Sequence, residues 1–188
     1  LHILPHWTWP GREGEVTPVF VYTNYPTAEL FINGKSYGKQ SKNNSSLKNR
    51  YRLMWMDTKY EPGEVKVVAY DKNGKAVAEK VVRTAGKPHH IELVSNRNEL
   101  TADGKDLAYV TVKVVDKDGN LCPTDNRQIN FSVKGTGKYR AAANGDPTNL
   151  EQFHLPKMHA FNGMLTAILQ AGETAGEIVF TAKANGVK

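Results

Sequence analysis

In the stretch LAYVTVKVVD, Val110, Val112 and Val114 alternate with Tyr109, Thr111, Lys113 and Val115. That period of two constrains the fold more than any other feature of the chain. Successive side chains of an extended strand point to opposite faces, so the pattern describes a strand with one apolar and one mixed face. The spacing recurs along the whole sequence, whereas apolar residues three and four apart, the mark of an amphipathic helix, are nearly absent. In the first half VTPVFVY (16–22), AELFI (28–32), YRLMWM (51–56), VKVVAYD (65–71) and AVAEKVVR (76–83) read as strands. In the second half HIELVS (90–95), LAYVTVKVVD (107–116), INFSVKG (129–135), RAAAN (140–144), MLTAILQA (164–171) and GEIVFTAKA (176–184) do so. Asn33-Gly34 and Asn73-Gly74 tolerate positive φ at both central positions of a tight hairpin turn, and Asp118-Gly119 closes the hairpin after the valine strand.

Short strands separated by turns every ten residues or so predict antiparallel sandwiches. The stretch TAGKPHH breaks the strand pattern, because Gly86 and Pro88 stop the preceding strand and open a short linker. The expected organisation is all-β, with two tandem Ig-like antiparallel β-sandwich domains over residues 1–86 and 87–188. The chain stops at NGVK, where one more strand is expected, so the last edge reads as incomplete.

Charge is unevenly spread over this plan. Residues 1–86 hold 13 Lys and Arg against 8 Asp and Glu, while 87–188 hold 12 against 11. Much of the excess lies in KSYGKQSKNNSSLKNRYR, whose Asn/Ser-rich centre reads as a solvated loop between strands. Nucleic-acid binding is not expected, since a groove for it would combine such charge with stacking aromatics or a recognition helix. The apolar runs fall far short of the roughly 20 residues of a membrane-spanning helix. Cys122 stands alone, so no intramolecular disulfide forms.

The order of motifs carries a resemblance. LHILPHWTWPGREG, then VFVYTNYPTAELFINGKSYGK, then PGEVKVVAYDKNGK and VVRTAGKP resemble the C-terminal β-sandwich that follows the catalytic barrel in bacterial glycoside hydrolase family 2 β-galactosidases. IELVSNRNELTADGKDLAYVTVKVVDKDGN, INFSVKGTG and AANGDPT are similar to the Ig-like module after it, itself similar to invasin and intimin repeats. The resemblance spans the whole chain. It implies that LHILPHWTWPG leads out of a preceding barrel, and that this sequence is a piece whose partner is that missing barrel. It also implies that the family's two catalytic glutamates lie outside the sequence. Bacteroides-type relatives imply a periplasmic, cell-surface or secreted location.

Candidate chemistry within the chain is sparse. Glu13 and Glu15 flank Gly14 without a pocket signature, and Asp103, Asp106, Asp116 and Asp118 sit where turn amides want an acceptor. DKDGN lacks the closing bidentate Glu of an acidic calcium loop, and the histidine pairs have no zinc-spaced partners, so neither metal nor cofactor is expected. Cys122 before Pro123 reads as a small residue packed at a strand end. Trp7, Trp9 and Trp55 admit two readings: core or interdomain packing, or stacking on the apolar face of a pyranose with His6, Arg12 and Asn24 as polar rim. The long connection from Asn144 and Asp146 to Phe161 is either an ordinary crossover or a loop leaning toward the parent's catalytic mouth. The expected role is a non-catalytic accessory region that braces the barrel and shapes access to it. The alternatives are a carbohydrate-binding module and an Ig-like surface adhesin stalk.

Overall fold

The computed structural model describes all residues from Leu1 to Lys188 and contains fourteen strands and no helix. The chain divides into two compact units, Leu1–Thr84 and Ala85–Lys188.

The first unit comprises β1 (His2–Leu4), β2 (Val19–Tyr22), β3 (Thr27–Ile32), β4 (Lys35–Ser41), β5 (Leu53–Trp55), β6 (Glu64–Tyr70) and β7 (Ala76–Arg83). They form two antiparallel sheets, ordered β1-β2-β5 and β4-β3-β6-β7. Alternation decides which residues meet between the sheets. Val19, Val21, Leu53 and Trp55 of the smaller sheet share one buried cluster with Ala28, Leu30, Ile32, Val65, Val67 and Ala69 of the larger. Burying a side chain of this size stabilises by about 1.5–3 kcal/mol, and no cross-link adds to it because Cys122 is a free thiol.

The second unit repeats the plan with β8 (His90–Ser95), β9 (Leu107–Val115), β10 (Gln128–Gly135), β11 (Gly137–Ala143), β12 (Lys157–His159), β13 (Met164–Ala171) and β14 (Ile178–Lys183). The sheets run β11-β13-β9-β8 and β12-β10-β14. Val112 and Val114 of β9 and Leu165 and Ala167 of β13 pack with Ile129 and Phe131 of β10 and Met158 of β12. A smaller cluster of Ala108, Val110 and Leu169 lies beside Ile178 and Phe180.

Three strands depart from the sequence reading. His2–Leu4 is a strand paired with β2, although only Ile3 of it is buried. The first seven residues of the basic stretch, not read as a strand, form β4, and the Asn/Ser-rich centre of the stretch follows as the expected loop. Five of the strand's seven residues are exposed and only Tyr37 packs against the core, so it carries no apolar alternation, and its lysines suit an edge that must not recruit another chain. The Asn33-Gly34 turn sets its register, with φ of 48° and 80° joining Ile32 to Lys35. Within it a bulge opposite Leu30 uses Gly38 at φ 86°. β12, too short to alternate, interrupts the long connection by pairing with β10.

The Asn73-Gly74 turn differs from the expected geometry, and the Asp118-Gly119 turn closes where expected. At Asn73-Gly74 only the glycine has positive φ. Asp71 Oδ1 accepts the N–H groups of Asn73 and Lys75, and the Gly74 N–H reaches Asp71 O. In the second unit Asp116 Oδ1 likewise accepts the N–H groups of Asp118 and Asn120, and the Gly119 N–H reaches Asp116 O. DKNGK and DKDGN are thus the same five-residue turn, held by the leading aspartate rather than by two left-handed residues.

Candidate functional site

The N-terminal segment gathers the aromatic candidates, and the fold separates their fates. Trp7 is only 1% exposed, its indole N–H donates to Glu61 O at 2.8 Å, and its ring meets Tyr60 edge-on at 5.4 Å. A ring so enclosed offers no face to a sugar. Trp55 is buried as well and donates to Gly38 O. Trp9 is half-buried, with His6 stacked on it at 4.1 Å and the Arg12 guanidinium 5.2 Å from a ring centre. Its indole N–H donates to His6 O, and Arg12 also pairs with Glu15 at 2.8 Å. Burial lowers the pKa of His6, which favours the neutral imidazole. The structure therefore brings His6, Trp9 and Arg12 together, while Asn24 is exposed in the β2–β3 turn and bonded to none of them.

The sequence reading passed over a feature of the β1-β2-β5 sheet. Its inner face holds Ile3, Val21 and Leu53 in register, and the row one residue along, Leu4, Phe20 and Met54, faces the opposite way. Leu4 is 43% exposed, Phe20 and Met54 are half-buried, and the Arg52 guanidinium lies 5.6 Å from the Phe20 ring. The signal was present in HIL, VFVY and LMW, where both faces carry apolar residues. Such runs fit a strand covered on both sides.

Glu13 accepts the Gly11 N–H and Glu15 faces Arg12, both exposed. Wherever a carboxyl pKa moves it moves down: Glu29, Asp103, Asp106, Asp116, Asp125, Asp146 and Glu151 all accept hydrogen bonds in their ionised form. Asp116 illustrates the balance. Burial pushes it up, but the Gly86 N–H, the Asn120 amide and the Asn120 and Asp118 N–H groups together hold it at about 2. A glycosidase acid needs the opposite shift. The Cys122 thiol is pushed up to about 11 by burial, then by Asp116 and Asp125, which leaves it protonated and unreactive at neutral pH. Nowhere do three His, Cys, Asp or Glu side chains converge as a metal site would require.

The 144–160 connection is built from side-chain caps. Asn144 accepts the Asp146 N–H and donates to His159 O, while Asp146 accepts from the Thr148 N–H and hydroxyl. Glu151 binds both the N–H and the ring of His159. Asn144 and Asp146 are thereby committed to shaping the loop, whose tip leaves Leu150 and Phe153 exposed.

The chain is thus two antiparallel sandwiches in which every displaced carboxyl pKa is displaced downward. Residues 91–188, more than half of the chain, match the glycoside hydrolase family 2 C-terminal domain 5, and residues 14–78 match a domain of unknown function, DUF4982. The chain belongs to glycoside hydrolase family 2. It is 42% identical over 189 residues to the beta-galactosidase BoGH2A of Bacteroides ovatus, a match covering 100% of this chain and 21% of that protein. A putative beta-glucuronidase of Formosa agariphila is 35% identical over 150 residues, covering 78% and 14%. The crystal structure of a beta-glycosidase from Bacteroides vulgatus superposes with a TM-score of 0.90 at 32% identity, over 100% of this chain and 23% of that one. The chain thus spans about a fifth of the length of the β-galactosidase it matches.

Proposed function

We propose that this chain is the accessory C-terminal region of a secreted family 2 β-galactosidase, and that it braces the catalytic barrel without supplying catalytic groups. The observation that carries the reading is the match of the whole chain, at 42% identity, to a protein named a β-galactosidase. The low carboxyl pKa values agree with it, since none of the shifted groups could act as the protonated acid near neutral pH. The reading includes a periplasmic or surface location, and a parent found only in the cytosolic fraction would contradict it.

The outer face of the β1-β2-β5 sheet is the proposed bracing surface. β1 begins at the second residue, so chain preceding Leu1 would join this sheet at the end of β1 three residues before Leu4. An apolar row without a covering layer is the kind of surface that packs against another domain. In the intact parent, a Leu4→Asp, Phe20→Asp double variant is expected to lower the thermal midpoint by several degrees, while kcat per folded molecule stays within about twofold. Loss of kcat in a fully folded variant would instead place this face at the reaction.

Glycan contact remains a second reading, supported by the half-buried indole of Trp9 with its His6 and Arg12 neighbours. Saturable binding of a defined β-galactoside oligomer that Trp9→Ala abolishes would support it; binding unchanged by Trp9→Ala would remove it.

A further inference from the structure

At one side of the second unit, the two sheets are held apart by an open cleft of about 830 Å³. Leu93 of β8, Ala108 and Val110 of β9, Leu169 of β13 and Ile178 and Phe180 of β14 line it. β8 and β14 are the terminal strands of their sheets, so each flanks the cleft with an unpaired edge. Leu93 remains 40% exposed there, where a sandwich normally buries an inward-facing leucine.

The edge of β8 is free in a defined way. In its antiparallel ladder with β9, His90 lies opposite Val115, Glu92 opposite Lys113 and Val94 opposite Thr111. The bond from the Asn96 N–H to Tyr109 O continues this series and identifies these as the hydrogen-bonded pairs. The N–H and C=O groups of Ile91, Leu93 and Ser95 therefore point away from β9. One rung on that side is already made. The Lys188 N–H donates to His89 O at 3.0 Å, and Lys188 O accepts the Ile91 N–H at 3.1 Å. Bonds to the residues on either side of His90 are the slanted pair by which a residue joins a parallel neighbour. Lys188 thus stands opposite His90 on the first rung of a parallel ladder.

We propose that the polypeptide carried on from Lys188 runs as a strand parallel to β8 and closes this cleft. The second residue beyond Lys188 would bond Ile91 O and the Leu93 N–H, and the fourth would bond Leu93 O and the Ser95 N–H. Lys188 shares a face with His90, so the first, third and fifth residues beyond it face inward with Ile91, Leu93 and Ser95, and these are apolar. The inserted side chains cover Leu93, Leu169 and Phe180, and the strand removes an edge that would otherwise template pairing with another chain. The proposal is independent of the β-galactosidase reading, since it rests on the ladder geometry alone.

Residue-resolved amide exchange tests it on two chains, one ending at Lys188 and one extended by the parent's own next ten residues. The Leu93 and Ser95 amides are expected to exchange at least about tenfold more slowly in the extended chain, with the thermal midpoint raised. A third chain with a single serine inserted after Lys188 shifts every following side chain to the other face and is expected to lose that protection. Equal exchange in the short and extended chains would overturn the proposal, as would a coding sequence that stops at Lys188. Concentration-dependent protection of the short chain would also overturn it, by assigning the edge to a second copy.

Discussion

Asp116 lies just past β9 with 2% of its surface exposed, and donors surround its carboxylate. It gathers the Gly86, Asp118 and Asn120 N–H groups and the Asn120 side-chain amide, so it fastens the segment before β8 to the turn after β9. Its folded pKa of about 2 lies below the ordinary value of 3.8. A depressed carboxyl stabilises fully above its unfolded pKa, and the contribution is lost as pH falls through the folded one. Between roughly pH 4 and pH 2 the protein should therefore lose about 2 kcal/mol through this group, at about 1.36 kcal/mol per pKa unit. Urea unfolding along that pH series reads it, and Asp116→Asn should flatten the slope. Asp116→Ala should cost at least the roughly 1–3 kcal/mol of a stranded buried donor. An alanine variant as stable as the parent would remove the aspartate from its structural role.

At the scale of elements, the strands with a buried face were legible because burial and alternation coincide. β13 spans the expected residues with alternate ones buried, and Val110, Val112 and Val114 line one buried face of β9. β7 and β8 span the expected residues too, although neither has a fully buried residue, because their Val- and Ile-containing runs end at turn residues. β4 was not legible, since an edge strand needs no apolar residues and its turn, not its composition, places it. β1 and β12 are too short for a period of two to register. Of the candidate site, the low value of the aspartates could be read from turn chemistry, but the split between Trp7 and Trp9 could not. Two residues apart and with the same side chain, they differ only in what the tertiary fold sets around them: Glu61 and Tyr60 for the first, His6 and Arg12 for the second. Trp7 fixes the segment between β1 and β2 to the core, helped by the Thr84 hydroxyl on its carbonyl. Trp7→Ala should cost about 3–5 kcal/mol in chemical denaturation. A loss below about 1 kcal/mol would mean that this segment is not part of the cooperative unit.

At the scale of the molecule, the chain combines two sandwich cores with surfaces that ask for neighbours. The apolar row on β1-β2-β5 is the proposed bracing surface, and the open edge of β8 is the proposed seat of the chain that follows Lys188. A module placed within a longer hydrolase has this character, because its own chemistry is spent on turns and cores while its partners lie in adjacent chain. On the proposed reading the reaction lies elsewhere in the parent, on a pair of carboxyls about 5–10 Å apart, one with a raised pKa. The most direct measurement is turnover of a chromogenic β-galactoside by the intact parent and, side by side, by purified residues 1–188. The proposed accessory role predicts saturable hydrolysis by the parent and a rate indistinguishable from buffer for 1–188 across pH 4 to 9. Saturable turnover by residues 1–188 alone would contradict it.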